Sequence, residues 1–190
     1  MGKSIVVDVE KCLGCKSCEI ACAVAHSQSG VLEEALTEQP RPQKRVTVES
    51  IEQFAVPLQC RHCEDAPCVA VCPTAAIQRQ EADGPVLIDQ ERCIGCKYCL
   101  AVCPFGVIDV SNDGRAVVKC DLCIERTKVG REPACVEACP TKALKLVSEK
   151  ELTEGKRRLA AQELVASTQK SKESSAAAQE SGAKNEKSVP

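Results

Sequence analysis

The chain has 190 residues, of which 16 are cysteine, whereas only 2% are aromatic and none is tryptophan. Large aromatic rings normally dominate protein cores, so an interior built almost without them indicates that something other than side chains fills it. The formal net charge of −2 is too close to neutral to predict binding to nucleic acid or to a membrane surface through charge alone.

The cellular compartment determines whether so many cysteines are expected to form disulfides or to bind metal. No stretch approaches the roughly 20 consecutive apolar residues of a membrane-spanning helix, and the first residues show neither the apolar region of a signal peptide nor twin arginines. These features predict a cytoplasmic protein without direct membrane insertion. Because thiols are kept reduced in the cytoplasm, dense cysteines there favour metal ligation over disulfides.

Local patterns predict short elements of both kinds. Runs rich in β-formers precede the cysteine motifs at residues 5–7, 46–48, 86–88 and 116–118. We expect the cysteine-containing turns to lead into brief helices, such as one over residues 75–77. The predicted fold class is therefore α+β, with small antiparallel hairpins, short helices and a core built around cofactors.

Composition changes near residue 147. All cysteines lie between Cys12 and Cys139, and from residue 148 onward lysine, glutamate, serine, alanine and glutamine dominate. We expect a cysteine-rich domain over residues 1–147. A weak apolar stripe favours a C-terminal helix over residues 148–167. Residues 168–190 cannot bury enough apolar area to offset the entropy of ordering, so we predict a disordered tail.

An internal repeat organises the cysteine-rich part. Segment 5–18, with Cys12, Cys15 and Cys18, recurs without a gap as segment 86–99. The segment 60–74 likewise recurs as 120–141, with a longer insertion in the second copy. This duplication predicts two pseudo-symmetric modules that resemble bacterial ferredoxins.

The sixteen cysteines form four groups of four, and each group has a regular spacing. The groups are Cys12-x2-Cys15-x2-Cys18-x3-Cys22, Cys60-x2-Cys63-x4-Cys68-x3-Cys72, Cys93-x2-Cys96-x2-Cys99-x3-Cys103 and Cys120-x2-Cys123-x11-Cys135-x3-Cys139. Three cysteines in a compact run can ligate one 4Fe-4S cluster, and in two-cluster ferredoxins the fourth cysteine, usually before proline, ligates the other cluster. The count predicts four 4Fe-4S clusters. Spacing alone leaves open whether neighbouring or nested motifs share clusters.

Two other classes of site compete with this interpretation. A zinc-binding interaction module normally uses two separated Cys-x2–4-Cys pairs, whereas the compact runs are typical of iron-sulfur ligation. A redox enzyme that uses a cluster for substrate chemistry needs an iron that no cysteine occupies, and sixteen cysteines leave none. The chain also has no phosphate-binding glycine loop, nucleophile elbow or carboxylate constellation, so we expect no catalytic residues and no enzymatic activity of the chain alone.

Several residues near the cysteines allow two interpretations. His26 and His62 are the only histidines, and we expect hydrogen-bonding roles because the cysteine count already completes the clusters. His62 can still donate to a sulfur and raise a cluster potential. Lys16, Lys97 and Arg61 lie inside ligand loops, where solvated charge and electrostatic tuning are equally open.

The motifs over residues 12–27 and 57–69, with Cys12-Leu13-Gly14-Cys15 and Cys60-Arg61-His62-Cys63, carry a family resemblance. Residues 4–147 resemble the four-cluster ferredoxin-like electron-transfer subunits that accompany molybdopterin oxidoreductases, formate-hydrogenlyase-type hydrogenases and carbon monoxide dehydrogenases. Within this family the motifs look most like the carbon monoxide dehydrogenase iron-sulfur subunit, the CooF type. One departure is Ala23, which stands where ferredoxins have proline after the last cysteine.

The resemblance implies how the cysteines share clusters, because in the family the middle motifs pair with each other and so do the outer motifs. The implied ligand sets are Cys60, Cys63, Cys68 and Cys103; Cys72, Cys93, Cys96 and Cys99; Cys12, Cys15, Cys18 and Cys139; and Cys22, Cys120, Cys123 and Cys135. The implied function is a relay of single electrons in an anaerobic system, from carbon monoxide dehydrogenase to a hydrogenase or a flavin-dependent pyridine nucleotide reductase. The alternative is an electron-transfer subunit of a formate dehydrogenase or formate-hydrogenlyase system.

Overall fold

The computed structural model describes residues 2–185, and it describes the side chains of residues 2–169. The chain divides into two compact units, with the boundary between Ser148 and Glu149. All sixteen cysteines belong to the first unit.

The first unit contains short strands and short helices in alternation. The strands are β1 (Lys3–Val7), β2 (Val46–Ile51), β3 (Phe54–Gln59), β4 (Ile77–Arg79), β5 (Val86–Ile88), β6 (Ile108–Val110), β7 (Val117–Lys119) and β8 (Leu144–Ser148). The helices are α1 (Ser17–Ala25), α2 (Leu32–Ala35), α3 (Pro67–Ala70), α4 (Tyr98–Val102), α5 (Ile124–Lys128) and α6 (Ala134–Glu137). Few of these elements are long enough to be stable alone, so packing must hold them.

The strands of the described part form four two-stranded antiparallel sheets, β1–β8, β2–β3, β4–β5 and β6–β7. Three of these join strands that are neighbours in the chain. The β1–β8 pair instead joins the two ends of the first unit, with Val7 opposite Leu144. The predicted mixture of small antiparallel hairpins and short helices is confirmed.

Buried residues form two separate clusters that differ in the cysteines they contain. One cluster combines residues of β1, β2 and β8 with cysteines of the first and last motifs, and Cys60 packs at its edge. The other combines residues of β4 to β7 with cysteines of the two middle motifs. Val46, Ile77 and Leu144 are almost completely buried in these clusters. Aliphatic side chains and thiols thus make up the interior.

The helix predicted over residues 75–77 is wrong. Ala75 has a left-handed backbone conformation, with φ of 49°, which L-residues adopt only as single positions and not in helices. Ile77 begins strand β4 and pairs with Ile88 of β5. The brief helix of this motif is α3, which lies earlier and has Pro67 in its first turn, a position where proline is tolerated.

Glu19 fixes helix α1 against strand β2. Its Oε1 accepts a hydrogen bond from the backbone N–H of Val48 at 2.6 Å, and its Oε2 accepts one from Lys44 Nζ at 2.7 Å. Burial acts to raise the pKa of Glu19, but these two bonds outweigh it and hold the pKa below its ordinary value. The carboxylate is therefore satisfied although the residue is buried.

The second unit is one helix, α7 (Glu149–Asn185). It continues past residue 167 into the segment where the sequence predicts a disordered tail, and residues 186–190 of that segment lie outside the described residues. Alanine, glutamate, lysine and glutamine, which dominate here, are strong helix formers and need no apolar face to adopt this conformation. Leu159, Leu164 and Val165 are accordingly exposed. Among residues 2–185, no helix has the length and apolar content required to cross a bilayer.

Candidate functional site

All sixteen thiols are free, and they differ in their access to solvent. Cys15 and Cys96, at equivalent positions of the repeat, are exposed. The buried thiols are Cys18, Cys22, Cys99, Cys120, Cys123 and Cys135. The remaining eight are half-buried. The lack of disulfides in a cysteine-dense interior leaves every thiol available as a metal ligand.

The first and last motifs meet in the same buried cluster. Cys22 lies close to Cys120, Cys123 and Cys135. After burial, charge interaction with Cys22 contributes to the raised pKa of each of these three thiols. Burial is the main cause that raises the pKa of Cys120 to about 12, and burial followed by repulsion from neighbouring thiols raises the pKa of Cys135 well above its usual range. Such thiols do not ionise together unless a cation compensates them. Their chemistry therefore fits a multi-iron centre.

The exposed part of the first motif also approaches the last motif. Cys15 is close enough to Cys139 for their charges to interact, and Cys18 similarly senses Cys12. The β1–β8 pair explains this approach, because Cys12 follows β1 and Cys139 precedes β8. The structure thus brings together residues that are more than a hundred positions apart in the sequence.

The two middle motifs surround a separate site. Cys68 senses the charges of Cys60 and Cys103. A small cavity is lined by aliphatic side chains, by Thr74, Lys97 and Tyr98, and by four thiols, those of Cys72, Cys93, Cys96 and Cys99. Each of these sets takes cysteines from both middle motifs. Free thiols gathered in this way, in largely aliphatic surroundings, form a donor set that fits 4Fe-4S clusters.

Glycines allow the ligand loops to turn tightly. Gly95 has φ of 65°, and a Cβ at this position would lie 2.2 Å from the carbonyl oxygen of Arg115. Its counterpart Gly14 has φ of 66°, and a Cβ there would meet Ala55 Cβ at 3.2 Å. Lys16 and Lys97, which precede α1 and α4, also adopt left-handed conformations. The two copies of the repeat therefore share their backbone geometry at these positions.

Hydrogen bonds to sulfur recur at equivalent places. Thr74 and Thr141, each following a Cys-Pro pair, have hydroxyls 3.8 Å from Cys72 Sγ and Cys139 Sγ. Backbone N–H groups donate to three other sulfurs: Arg45 to Cys22 at 3.2 Å, His62 to Cys60 at 3.4 Å and Leu122 to Cys120 at 3.4 Å. Such donors stabilise thiolate charge and raise cluster potentials.

His26 forms hydrogen bonds beside the cysteines of the first and last motifs. Its Nδ1 lies 2.7 Å from the carbonyl oxygen of Cys22, and its Nε2 lies 3.1 Å from Asp121 Oδ1. Burial alone would lower the pKa of His26, but Asp121 and Cys22 raise it to about 9. Arg45 donates to the second carboxylate oxygen at 2.6 Å. The side-chain ligand atoms of His26, Asp121 and Cys123 lie within 4.8 Å of one another. This polar network therefore supports the Cys123 thiol.

His62 lies between two thiols of the second motif and is neutral. Burial, followed by the charge of Lys119, lowers the pKa of His62 to about 3. Its Nδ1 lies 3.1 Å from the backbone nitrogen of Val86 and 3.2 Å from the Val86 carbonyl oxygen, contacts that are compatible with a proton on either ring nitrogen. Among the described residues Nε2 is buried and has no hydrogen-bond partner. A buried ring nitrogen without a protein partner fits a site where a bound cofactor supplies the partner.

Sequence reasoning missed the buried Lys119 and the pair Arg45–Asp121. Asp121 and Lys119 flank Cys120, so proximity to a ligand was a usable signal. Arg45 is distant from any cysteine in the sequence, and only the packing of β2 against the first motif brings it near. Lys16, Lys97 and Arg61, singled out from the sequence, lie in or beside ligand loops, and Arg61 stacks over the Phe105 ring at 5.9 Å from its centroid.

Comparisons with known proteins agree with this chemistry. The model of the family described as 4Fe-4S dicluster domain matches residues 51–149. An iron-sulfur protein of Rhodospirillum rubrum is 47% identical over 155 residues, which are 75% of this chain and 80% of that protein. The thiosulfate reductase electron transfer subunit PhsB of Salmonella typhi is 41% identical over 139 residues, 73% of this chain and 71% of the relative. The electron transport protein HydN of Escherichia coli (strain K12) is 39% identical over 167 residues, 80% and 91% respectively.

Proposed function

Because the chain belongs to the family of 4Fe-4S dicluster domain proteins, whose relatives are named as electron-transfer proteins, we propose that it relays single electrons through four 4Fe-4S clusters. The observation that supports this proposal is that cysteines of the first and last motifs lie in one buried cluster, with Cys60 at its edge, and other cysteines of the two middle motifs lie in the second cluster. In this proposal the chain is a non-catalytic subunit of an oxidoreductase system.

The proposed ligands follow the nested pairing. Proximity of Cys22 to Cys120, Cys123 and Cys135 supports one set, and the cavity with four thiols supports another. The four sets are Cys12, Cys15, Cys18 and Cys139; Cys22, Cys120, Cys123 and Cys135; Cys60, Cys63, Cys68 and Cys103; and Cys72, Cys93, Cys96 and Cys99. The first two sets would form one ferredoxin-like module and the last two its pseudo-symmetric counterpart.

Burial and contact suggest an order for the four sets. Cys120 senses the charge of Cys60, so the sets that contain these two thiols are neighbours. The exposed thiols Cys15 and Cys96 belong to the two other sets, and Leu13 and Ile94, two residues before them, are 72% and 66% exposed. We therefore place the exposed sets at the ends of a row. Electrons would enter and leave at these ends, where a partner protein can approach.

The residues of the protein set the environment and the potentials of the clusters and take no part in a reaction themselves. When bound, 4Fe-4S clusters supply one-electron transfer with potentials that depend on burial and on hydrogen bonds to sulfur. The backbone N–H groups of Arg45, His62 and Leu122 supply such bonds. Aliphatic side chains exclude water from the buried thiols. In this arrangement the chain holds the redox centres in a dry, closely spaced row.

The proposed electron donor is carbon monoxide dehydrogenase, and the proposed acceptor is a hydrogenase or a flavin-dependent pyridine nucleotide reductase in an anaerobic cytoplasm. Support comes from the motif resemblance over residues 12–27 and 57–69. A formate dehydrogenase or formate-hydrogenlyase partner is the second candidate, because the same four-motif arrangement accompanies such enzymes. The thiosulfate reductase relative indicates that this family serves different catalytic subunits.

Anaerobic purification with analysis of iron, sulfide, zinc, nickel and molybdenum tests the proposal. We expect about sixteen irons per chain, four for each cluster, and a co-purifying nickel enzyme. The same iron content with a molybdenum enzyme would favour the formate system. Zinc at about four per chain without iron would instead indicate the zinc-binding interaction module and overturn the relay.

A further inference from the structure

Lys119 is a buried cation whose donors contact both halves of the cysteine-rich unit. The residue is only 4% exposed. Its Nζ donates to the carbonyl oxygen of Val86, to the carbonyl oxygen of Cys120 at 3.1 Å and to Cys60 Sγ at 3.5 Å. An ammonium group has three donors, and all three are engaged. Among the described residues, none of these acceptors is a carboxylate, so the positive charge has no acidic partner there.

The position of this charge coincides with the junction between the two modules. Cys60 belongs to the second motif and Cys120 to the last, and these two thiols are close enough for their charges to interact. Lys119 ends strand β7, and its contact with Val86 reaches the first residue of β5. In the proposed relay, an electron that passes between the modules would cross beside this side chain.

The field of Lys119 reaches several neighbouring groups. Burial raises the pKa of Cys68, and the charge of Lys119 opposes that rise. The same charge, after burial, contributes to the low pKa of His62. Charges act strongly here because the surroundings are buried and water does not screen them. By contrast, Lys16 and Lys97 are exposed to solvent at the outer loops.

We propose that Lys119 is a positioning residue for electron transfer. Its fixed positive charge raises the reduction potential of the cluster that would be held by Cys60, Cys63, Cys68 and Cys103. The inference rests on the proposed relay function. Reduction of the cluster that this set would hold adds one negative charge, which the positive charge of Lys119 stabilises. Electron transfer across the junction is therefore not an energetically uphill step. The electron comes from the neighbouring 4Fe-4S cluster, or from dithionite in a titration. No bond forms or breaks in this step.

A purely structural role of Lys119 must be separated from the electrostatic one. Lys119 also fixes the carbonyl groups of Val86 and Cys120, so its removal can loosen the fold without any electrostatic effect. Arginine keeps the charge but alters the hydrogen-bond geometry, whereas methionine and glutamine remove the charge. Lys145 provides a matched control, because it is an exposed lysine on β8 and Lys145→Met makes the same change in net charge.

The test is an anaerobic redox titration of the full-length iron-loaded protein, followed by electron paramagnetic resonance. Lys119→Met and Lys119→Gln should shift one reduction step to lower potential at unchanged iron content. Lys119→Arg should stay near the wild-type potential, and Lys145→Met should leave every step unchanged.

Three results would overturn the proposal. The potentials could stay unchanged in both neutral variants, or Lys145→Met could shift them equally, which would make the effect one of net charge. Lys119→Arg could also lose a cluster just as the two neutral variants do, which would show that the site needs the lysine hydrogen bonds and not the charge, and would leave Lys119 only a structural role. If the wild-type protein binds no iron, the relay function itself fails, so that failure is distinguishable from failure of the Lys119 inference.

Discussion

The carbonyl oxygen of Arg115 occupies the space that a side chain at Gly95 would need, with 2.2 Å between that oxygen and a Cβ built on the glycine. This contact ties the loop of the third motif to the turn before β7. Gly95→Ala should therefore lower the free energy of unfolding by about 3 kcal/mol, the sum of left-handed strain and steric overlap. We expect a lower midpoint of thermal unfolding and partial iron loss.

Gly30→Ala is the matched control for Gly95→Ala. Gly30 has φ of 69°, but nothing lies within 4 Å of a Cβ at that position. The control should cost only the strain of the left-handed conformation, about 1 kcal/mol. Equal destabilisation by both variants would show that the contact with Arg115 is unimportant.

Double variants test the nested sharing of ligands. Cys72 is proposed to share a set with Cys96, although Cys63 is closer to it in the sequence. Cys72→Ala combined with Cys96→Ala should cost no more than one 4Fe-4S cluster, because both changes affect the same one. Cys72→Ala combined with Cys63→Ala should damage two. Spin quantitation of the reduced proteins gives the number. The reverse pattern would indicate that each motif holds its own cluster, and damage to two clusters in both double variants would indicate sharing between the first and second motifs.

Asp121 links three donors around the last motif. It accepts from His26, from Arg45 and from the backbone N–H of Cys123 at 2.9 Å. Burial opposes ionisation, yet His26 and Arg45 hold the pKa of Asp121 far below its ordinary value. Asp121→Asn should destabilise the protein by about 2 kcal/mol, because it leaves partly buried cations without their counter-charge. For a chain of this size that corresponds to about 4–8 °C in the thermal midpoint.

Asp8→Asn is the control for Asp121→Asn. Asp8 forms an ion pair with Lys11, and both groups are solvent-exposed. Exposed pairs contribute little to stability, so no measurable change in the thermal midpoint is expected. If both variants shift the midpoint equally, the network around Asp121 has no special role.

Truncation tests the independence of the C-terminal helix. Neither buried cluster contains a residue beyond Leu146, and β8 ends at Ser148. A chain that stops after Ser148 should retain the same iron per protein and the same thermal midpoint as the full-length chain. Loss of one cluster on truncation would contradict this expectation and assign helix α7 a structural role.

The sequence by itself determined the chemistry of this protein. Ligation by thiols depends on residue type and local spacing, and both are visible in motifs such as Cys12-x2-Cys15-x2-Cys18. The small hairpins were also predictable, since their strands are short β-rich runs next to turns. Helix prediction failed at residues 75–77, because the left-handed Ala75 and the pairing of Ile77 with Ile88 override local propensity.

Only the tertiary structure decided which distant residues meet. The pairing of β1 with β8 brings Cys15 near Cys139, and the packing of β2 brings Arg45 to Asp121. The burial of Lys119 beside Cys60 and Cys120 likewise has no local signal, because lysine is normally a surface residue. Spacing specifies what a loop can bind, whereas the choice of partner loop depends on long-range packing that no single motif contains.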